Sequence, residues 1–328
     1  MSNTIRFVRS DGPTTQGTKS RRDDPRMAAR MVSLDSDLAP DRVQAILLGV
    51  ADDRGVTING GRQGAADGPA KFRDYFSRLP VPAEFGHGSI VNAGDLMAAE
   101  HTAETHARLA EVIFVLRERF PKARLVVIGG GHDHAYGEVL GLARSMGSKA
   151  ADSRIGVVNI DAHADVRPHT TEPHSGTPFR RLLLEPAARV AGTSLVEFGL
   201  QRASNAAVHL AFLQQHHVQV VMWDDIVDGD RAASEQLFGY MKALAENHAA
   251  ISLSVDMDAF PLSAAPGVSA PSAIGVSPGA IVRAAAAFGA LPLPTQLGIY
   301  ELNPRFDQDG ATTRLATRIA WSYITGLL

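Results

Sequence analysis

The sequence predicts an α/β protein, a three-layer α/β/α sandwich built on a mainly parallel sheet. Two observations support this fold class. Short runs rich in Val, Ile and Leu recur along the chain without polar alternation, as expected for strands that are covered on both faces. Longer segments with helical periodicity separate these runs, and the alternation of strand and helix is typical of βα units in a parallel sheet.

The predicted elements alternate along most of the chain. The predicted strands are 45–50, 124–128, 155–160, 194–199, 218–222, 251–255 and 296–300. The predicted helices are near 69–78, 102–119, 135–146, 178–187, 203–216, 231–247, 277–289 and 310–326. The last helix places Leu315, Ile319, Tyr323 and Leu327 on one face, which is typical of packing against a core and permits a homo-oligomer.

Composition excludes several classes of protein. A net charge of −3 over 328 residues gives no reason to expect nucleic acid or an anionic membrane as a partner. No apolar stretch approaches the roughly 20 residues that span a bilayer. The absence of cysteine excludes disulfides and thiolate metal sites, and it fits a reducing compartment. We therefore expect a cytoplasmic protein.

The arginine-rich N-terminus differs from the rest of the chain. It lacks the apolar segment of a secretory signal, and its aspartates argue against a transit peptide. We expect residues 1–35 to form a partly ordered extension. Residues 36–328 are expected to form a single domain.

Potential metal ligands follow three of the predicted strands, at the point where each strand ends. They are His132 after strand 124–128, then Asp161, His163 and Asp165 after strand 155–160, then Asp256 and Asp258 after strand 251–255. In parallel α/β sheets, ligands bind beyond the carboxyl ends of the strands. The three groups are therefore expected to converge at one edge of one sheet.

The residue types in these groups favour a pair of divalent cations. Alternate residues of an extended backbone project to one side, which we expect for Asp161, His163 and Asp165. Asp256 and Asp258 have the same spacing. Carboxylates and imidazoles without sulfur suit Mn²⁺ better than a structural zinc. A pair of such ions generates hydroxide from water at neutral pH, which predicts a hydrolase.

Each motif has a simpler interpretation when it is taken alone. An Asp-x-Asp sequence after a strand is commonly a loop or a cap, and a glycine run is commonly a turn. The coincidence of three such motifs at strand ends favours metal binding over these interpretations.

The motifs also resemble the signatures of the ureohydrolase family, which includes arginases, agmatinases and formimidoylglutamases. The three signatures are Gly-Gly-Gly-His-Asp at 129–133, Asn-Ile-Asp-Ala-His-Ala-Asp at 159–165 and Ser-Val-Asp-Met-Asp at 254–258. Two further segments resemble the family, the glycine-arginine segment at 59–69 and Glu-Leu-Asn-Pro at 301–304. The resemblance runs from about residue 40 onward and implies an arginase-like catalytic domain over 36–328.

What the resemblance implies is a pair of Mn²⁺ ions bridged by hydroxide. One ion would be held by His132, Asp161, Asp165 and Asp256, and the other by Asp161, His163, Asp256 and Asp258. The resemblance further implies that the hydroxide attacks a planar amidine-type carbon. Asp258 is then the candidate to carry a proton to the departing amine, and Glu301 is expected to face the cationic C–N group of the substrate.

Several segments resemble the formimidoylglutamase subgroup in particular. They are Ser-Gly-Thr-Pro-Phe at 175–179, Ala-Pro-Gly-Val-Ser-Ala-Pro at 265–271 and residues 301–310. Ser175 stands where arginases have a proton-shuttle histidine, and His174 is one residue away from that position. The subgroup implies hydrolysis of N-formimidoyl-L-glutamate, a small molecule with two carboxylates, to L-glutamate and formamide.

Arginines are the candidate partners for these carboxylates. Arg167, two residues after Asp165, could offer its planar fork to one of them or pair with a nearby aspartate. Arg62, Arg202 and Ser175 are further candidates for substrate binding. Two alternatives stay open, a guanidino-acid hydrolase that releases urea and a non-catalytic relative that binds metal.

Overall fold

The computed structural model describes residues 8–9, 23–147, 154–169 and 171–328. Its centre is a sheet of ten strands. The strands are β1 Val8–Arg9, β2 Met31–Ser33, β3 Val43–Val50, β4 Ser89–Leu96, β5 Arg124–Ile128, β6 Ile155–Ile160, β7 Leu195–Leu200, β8 Gln219–Met222, β9 Ala250–Asp256 and β10 Thr295–Tyr300. They lie in the order β1-β4-β3-β5-β10-β9-β6-β7-β8, and β2 also pairs with β4. Among these strands, β1 and β4 are antiparallel and the other neighbours are parallel.

Helices cover both faces of the sheet. They are α1 Arg54–Ile58, α2 Gly68–Ser77, α3 Thr102–Arg119, α4 His134–Ser145, α5 Pro178–Leu184, α6 Ala207–Gln215, α7 Asp230–Ala245, α8 Pro278–Gly289 and α9 Ala311–Thr325. Helix α9 packs against α2 and α8, and α8 packs against α7. In a second group, α4 packs against α3 and α5. Apolar side chains of the sheet fill separate cores beneath these groups. The predicted three-layer sandwich is confirmed.

The central strands agree with the sequence to within one or two residues at their ends, but several elements differ. The structure adds β4, the short edge strands β1 and β2, and helix α1. The helix predicted over 178–187 ends at Leu184, because Pro186 lacks the N–H needed to continue it. The helix predicted over 203–216 begins later, at Ala207, after a single 3₁₀ turn.

The predicted N-terminal extension lies partly outside the described residues, at 1–7 and 10–22. Within the described part, Met27 is fully buried and Met31–Ser33 joins the sheet beside β4. No described helix is long and apolar enough to cross a membrane.

Sheet order explains how distant motifs meet. Strand β10 lies between β5 and β9, and β9 lies beside β6. The four strands run parallel, so their carboxyl ends open onto one edge. His132 follows β5, Glu301 follows β10, Asp256 ends β9 and Asp161 follows β6.

Candidate metal centre and substrate pocket

One group of potential ligands surrounds the imidazole of His132. Its Nδ1 atom lies 3.1 Å from Asp161 Oδ2, 3.1 Å from Asp165 Oδ2 and 3.0 Å from Asp256 Oδ2. The side chains of His132, Asp161 and Asp256 are almost completely buried. Side chains that lie far apart in the sequence therefore present their ligand atoms to one point.

A second group lies beside the first and shares Asp161 with it. His163 Nδ1 lies 3.4 Å from Asp161 Oδ1 and 3.3 Å from Asp258 Oδ2. In each group the ligand atoms lie within 4.8 Å of one another. The two groups have the members of the two ligand sets that the family resemblance implies, except that Asp256 is absent from the second.

The backbone at these motifs is turned, so the expectation of extended backbone is wrong. Strand β6 ends before Asp161, and the Oδ1 atom of that residue accepts the backbone N–H of His163 at 2.7 Å. Asp256 Oδ1 accepts the N–H of Asp258 at 2.7 Å in the same way. Asp165 has a φ of 46°, in the left-handed region that aspartate tolerates better than most residues. The side chains converge because the chain folds back over each strand end.

A hydrogen bond beneath the centre orients His132. Its Nε2 atom lies 2.8 Å from the hydroxyl of Ser254, which is buried on β9 two residues before Asp256. When Nε2–H donates this bond, Nδ1 keeps its lone pair and directs it at the carboxylates. The ring of Tyr300 stacks on the imidazole at 5.1 Å between centroids, which fixes its plane. Metal-binding histidines are commonly held by such a bond to the other ring nitrogen.

The residues of this centre fit divalent cations. His132 Nδ1, Asp161 Oδ2 and Asp258 Oδ1 are buried, and no described group hydrogen-bonds to them in suitable geometry. Buried polar atoms without partners are rare in proteins unless an ion or water meets them. Burial, together with the charge of Asp161, raises the pKa of Asp165 to about 6. Burial and the charge of Asp256 raise the pKa of Asp258 well above its usual value. A cation among these carboxylates would favour their charged forms.

Glu301 is held in a strained conformation at the edge of this centre. Its φ is 62°, which is uncommon for a residue with a long side chain. Its N–H donates to Gly130 O at 2.8 Å, and its Oε1 accepts the N–H of His132 at 3.2 Å. Burial and the charges of Asp256 and Asp258 raise its pKa well above the usual value. Strain of this kind is typical of functional sites.

A pocket of about 250 Å³ opens onto the metal centre. Its lining includes His163, Asp165, Asp256, Asp258 and Glu301, and also Asn59, Gly60, Gly61, Arg62, Arg167, Ser175, Ser269 and Ala270. A larger cavity, of about 650 Å³, lies at the opposite edge of the sheet, near Arg124 and Thr295 where two strands begin. It contains none of the candidate ligands, so the smaller pocket is the candidate active site.

Polar residues on one wall of this pocket form a chain of hydrogen bonds. Arg167 donates to Asn59 Oδ1 at 2.9 Å, and Asn59 donates to Ser175 Oγ at 3.0 Å. Arg167 and Ser175 are candidates from the sequence, whereas Asn59 is an addition from the structure. Asn59 is the first residue of the segment at 59–69 that resembles the family. That position was the one feature of the sequence that could have identified it as a site residue.

Of the other two candidate arginines, one lies in the pocket and the other does not. Arg62 lines the pocket, where it donates to Val268 O at 2.6 Å and to Ser269 O at 3.1 Å. Arg202 is exposed and is not part of the pocket lining. His174 is also absent from the lining, and its Nδ1 accepts the N–H of Gly176 at 3.3 Å.

A further buried group of His106, Asp133 and His134 lies behind the metal centre. Arg181 donates to His106 Nδ1 at 2.7 Å, so the proton of the neutral imidazole is on Nε2. That nitrogen donates to Asp133 Oδ2 at 2.7 Å. His106 therefore has no lone pair left for a cation, and the group is a hydrogen-bonded chain that anchors the residue next to His132.

Comparisons with known proteins agree with this geometry. A family model described as the arginase family matches residues 43–326. A formimidoylglutamase of Geobacillus thermodenitrificans is 35% identical over 291 residues, which cover 88% of this chain and 85% of that protein. Another, from Rhodococcus jostii, is 32% identical over 283 residues, which cover 85% of each protein.

The chain is also similar to solved structures of formimidoylglutamases. The structure of Trypanosoma cruzi formiminoglutamase with Mn²⁺ has a TM-score of 0.79 and 30% identity, and the match covers 93% of this chain and 98% of that chain. Formimidoylglutamase from Bacillus subtilis has a TM-score of 0.83 over 98% of this chain and 96% of that chain. Its identity is 23%, so this second match supports the fold alone.

Proposed function

This chain belongs to the arginase family, and from that membership we propose that it is a metal-dependent hydrolase of N-formimidoyl-L-glutamate. The products are L-glutamate and formamide. The observation that carries the proposal is that one pocket is lined by four of the candidate metal ligands, a buried glutamate and Arg167. Curated relatives named formimidoylglutamase support the choice of substrate over a guanidino acid.

Two Mn²⁺ ions are the proposed cofactors, supported by the two ligand groups and by Mn²⁺ in the Trypanosoma cruzi structure. One would be held by His132, Asp161, Asp165 and Asp256, and the other by Asp161, His163, Asp256 and Asp258. Such ions lower the pKa of a bound water to about 7 and so supply a nucleophile at neutral pH.

Residues of the chain position the substrate and transfer a proton from the attacking water to the leaving amine. Water adds to the formimidoyl carbon, the bond from that carbon to the glutamate nitrogen breaks, and the amine leaves with a proton. In this proposal Asp258, in the pocket lining, accepts a proton from the attacking water and donates it to that nitrogen. In this proposal Glu301, which is buried in the pocket lining, faces the formimidoyl group, which is cationic near neutral pH.

The hydrogen-bonded wall of the pocket supplies recognition of the substrate. A guanidinium binds a carboxylate through two parallel hydrogen bonds, and Asn59 holds Arg167 in place for this contact. Arg62 and Ser175 lie in the same lining and offer further donors. Arg202 stays a prediction from the sequence.

A product assay tests the function directly. Protein loaded with Mn²⁺ should release formamide and L-glutamate from N-formimidoyl-L-glutamate. Inertness toward that substrate together with release of urea from guanidinobutyrate would reject the assignment.

A pair of variants tests the role of the arginine. Arg167→Asn should impair turnover of this dicarboxylate far more than turnover of a monocarboxylate analogue that retains the formimidoyl group. Arg283→Asn is the matched control, because Arg283 is exposed on helix α8 and lies outside the pocket lining. Equal effects of the two changes would exclude a specific contact with Arg167.

Two properties remain predictions from the sequence. A cytoplasmic location is expected from the absence of cysteine, and a homo-oligomer is permitted by the apolar face of helix α9. Gradient fractionation of cells and light scattering of the purified protein would test them.

A further inference from the structure

A separate cavity lies beside the loop that leaves the metal centre. Its volume is about 390 Å³, and it is lined by Tyr136, Pro168, His169, Arg180, Arg181, Leu184 and Glu185. Pro168 and His169 directly follow Arg167 of the substrate pocket. None of the candidate metal ligands lines this cavity, and its volume is within the range of small-molecule sites.

Two guanidinium groups in this cavity are held in place by aromatic rings. The Cζ atom of Arg180 lies 4.2 Å from the ring centroid of Phe212, and that of Arg181 lies 3.5 Å from that of Tyr136. Among the described residues, neither arginine forms an ion pair with a carboxylate. Stacking orders a guanidinium without neutralising its charge. Arg180 therefore offers an ordered cationic fork.

Imidazoles on two different segments lie in the positive field of these arginines. Burial lowers the pKa of His169, and the charges of Arg181 and Arg180 lower it further. His209, on helix α6, has its pKa lowered by burial and then by Arg167 and Arg180. Among the described residues, Glu185 is the one carboxylate in the lining, which also contains two arginines, so these groups give the cavity a net positive charge.

We propose that this cavity is a second anion-binding site, which takes a small carboxylate with a carbon skeleton. The planar fork of Arg180 matches the two oxygens of a carboxylate. Leu184, Pro168 and the ring of Tyr136 add apolar wall, which suits the methylene groups of an amino acid or a dicarboxylic acid better than it suits a bare inorganic anion.

Calorimetric titration with L-glutamate tests the proposal without any need for turnover. The protein is loaded with Mn²⁺ and titrated at about 0.15 M salt, where weak surface attraction is largely screened. We expect two sites per chain, one in the substrate pocket and one in the cavity. Because binding is measured directly, a chain that fails to hydrolyse its proposed substrate can still show the cavity site.

Matched variants assign each site to its pocket. Arg180→Met keeps contact with Phe212 and removes the charge, so we expect cavity affinity to fall at least about tenfold, the equivalent of one charge-assisted hydrogen bond. Arg283→Met removes an exposed arginine from helix α8 and should leave both sites unchanged. Arg167→Met should weaken the other site.

Several results would overturn the proposal. They are the absence of any site that Arg180→Met weakens, and equal losses in Arg180→Met and Arg283→Met. Inorganic phosphate should bind this site at least about tenfold more weakly than L-glutamate, and equal affinity would refute the assignment to a carboxylate. If Arg180→Met does not fold, a crystal of the wild type soaked in L-glutamate decides, since the ligand must lie against Arg180.

Discussion

The hydrogen bond between Ser254 and His132 provides a sharp test of the metal centre. Ser254→Ala removes the hydroxyl that lies 2.8 Å from His132 Nε2 and leaves the rest of strand β9 unchanged. Both residues are fully buried, and loss of one oxygen atom leaves too little space for a replacement water. The Nε2–H group would then have no acceptor.

The expected loss follows from that burial. A buried donor left without its partner costs about 1–3 kcal/mol of folding stability. Loss of the group that orients a metal-binding histidine weakens metal affinity by about 10–100-fold, which corresponds to roughly 1.4–2.7 kcal/mol. The variant should therefore lose both stability and affinity for Mn²⁺.

Ser252 supplies a matched control on the same face of the same strand. Its hydroxyl donates to Glu138 Oε1 at 2.8 Å and makes no hydrogen bond to His132. Urea unfolding of the metal-free proteins should show a similar loss of stability in Ser252→Ala and Ser254→Ala. Titration calorimetry with Mn²⁺ should show weaker binding in Ser254→Ala alone. Wild-type affinity for Mn²⁺ in Ser254→Ala, despite reduced stability, would refute the reasoning that the Ser254 hydrogen bond orients His132 for metal binding.

Three further predictions follow from the same contacts. Asp258→Asn should reduce bound Mn²⁺ from two ions per chain to one by atomic absorption, because the group around His132 keeps all its members; two retained ions would contradict this. Asp133→Ala leaves the buried Nε2–H of His106 without its acceptor and should cost about 1–3 kcal/mol in urea unfolding, and unchanged stability would contradict the anchoring role. Mn²⁺ at 100 times its dissociation constant should stabilise the folded chain by about 2.7 kcal/mol per site, so EDTA should lower the thermal midpoint, and an unchanged midpoint would exclude binding selective for the folded state.

Strand β4 shows where sequence patterns stop being informative for this fold. Its sequence, Ser89 to Leu96, contains Asn92, Gly94 and Asp95, so it lacks the apolar run that identified the central strands. Asp95 is tolerated in this strand because it forms an ion pair with Arg73, a buried residue of helix α2 that is distant in the sequence. Gly49 on β3 leaves room for that pair, because a Cβ atom there would lie 2.7 Å from an Arg73 nitrogen. Such compensation between segments is invisible to a local pattern.

The candidate site divides in the same way. The ligand motifs are short and local, so the sequence was sufficient to place His132 and Asp161 at strand ends. The role of Asn59 depends on contacts with Arg167 and Ser175, which are more than 100 residues away in the chain. Distance along the sequence hides such a residue unless a family pattern marks it.

The spacing of the two aspartate motifs has a cause that differs from strand alternation. In each motif the first aspartate uses Oδ1 to accept the N–H of the second residue after it, His163 or Asp258. This bond closes a tight turn directly after the strand and brings the later side chain back over the strand end. The other oxygen, Oδ2 of Asp161 or Asp256, stays free to face His132. Each carboxylate thus shapes the loop with one oxygen and faces the metal centre with the other, so the interval of two residues is set by the turn.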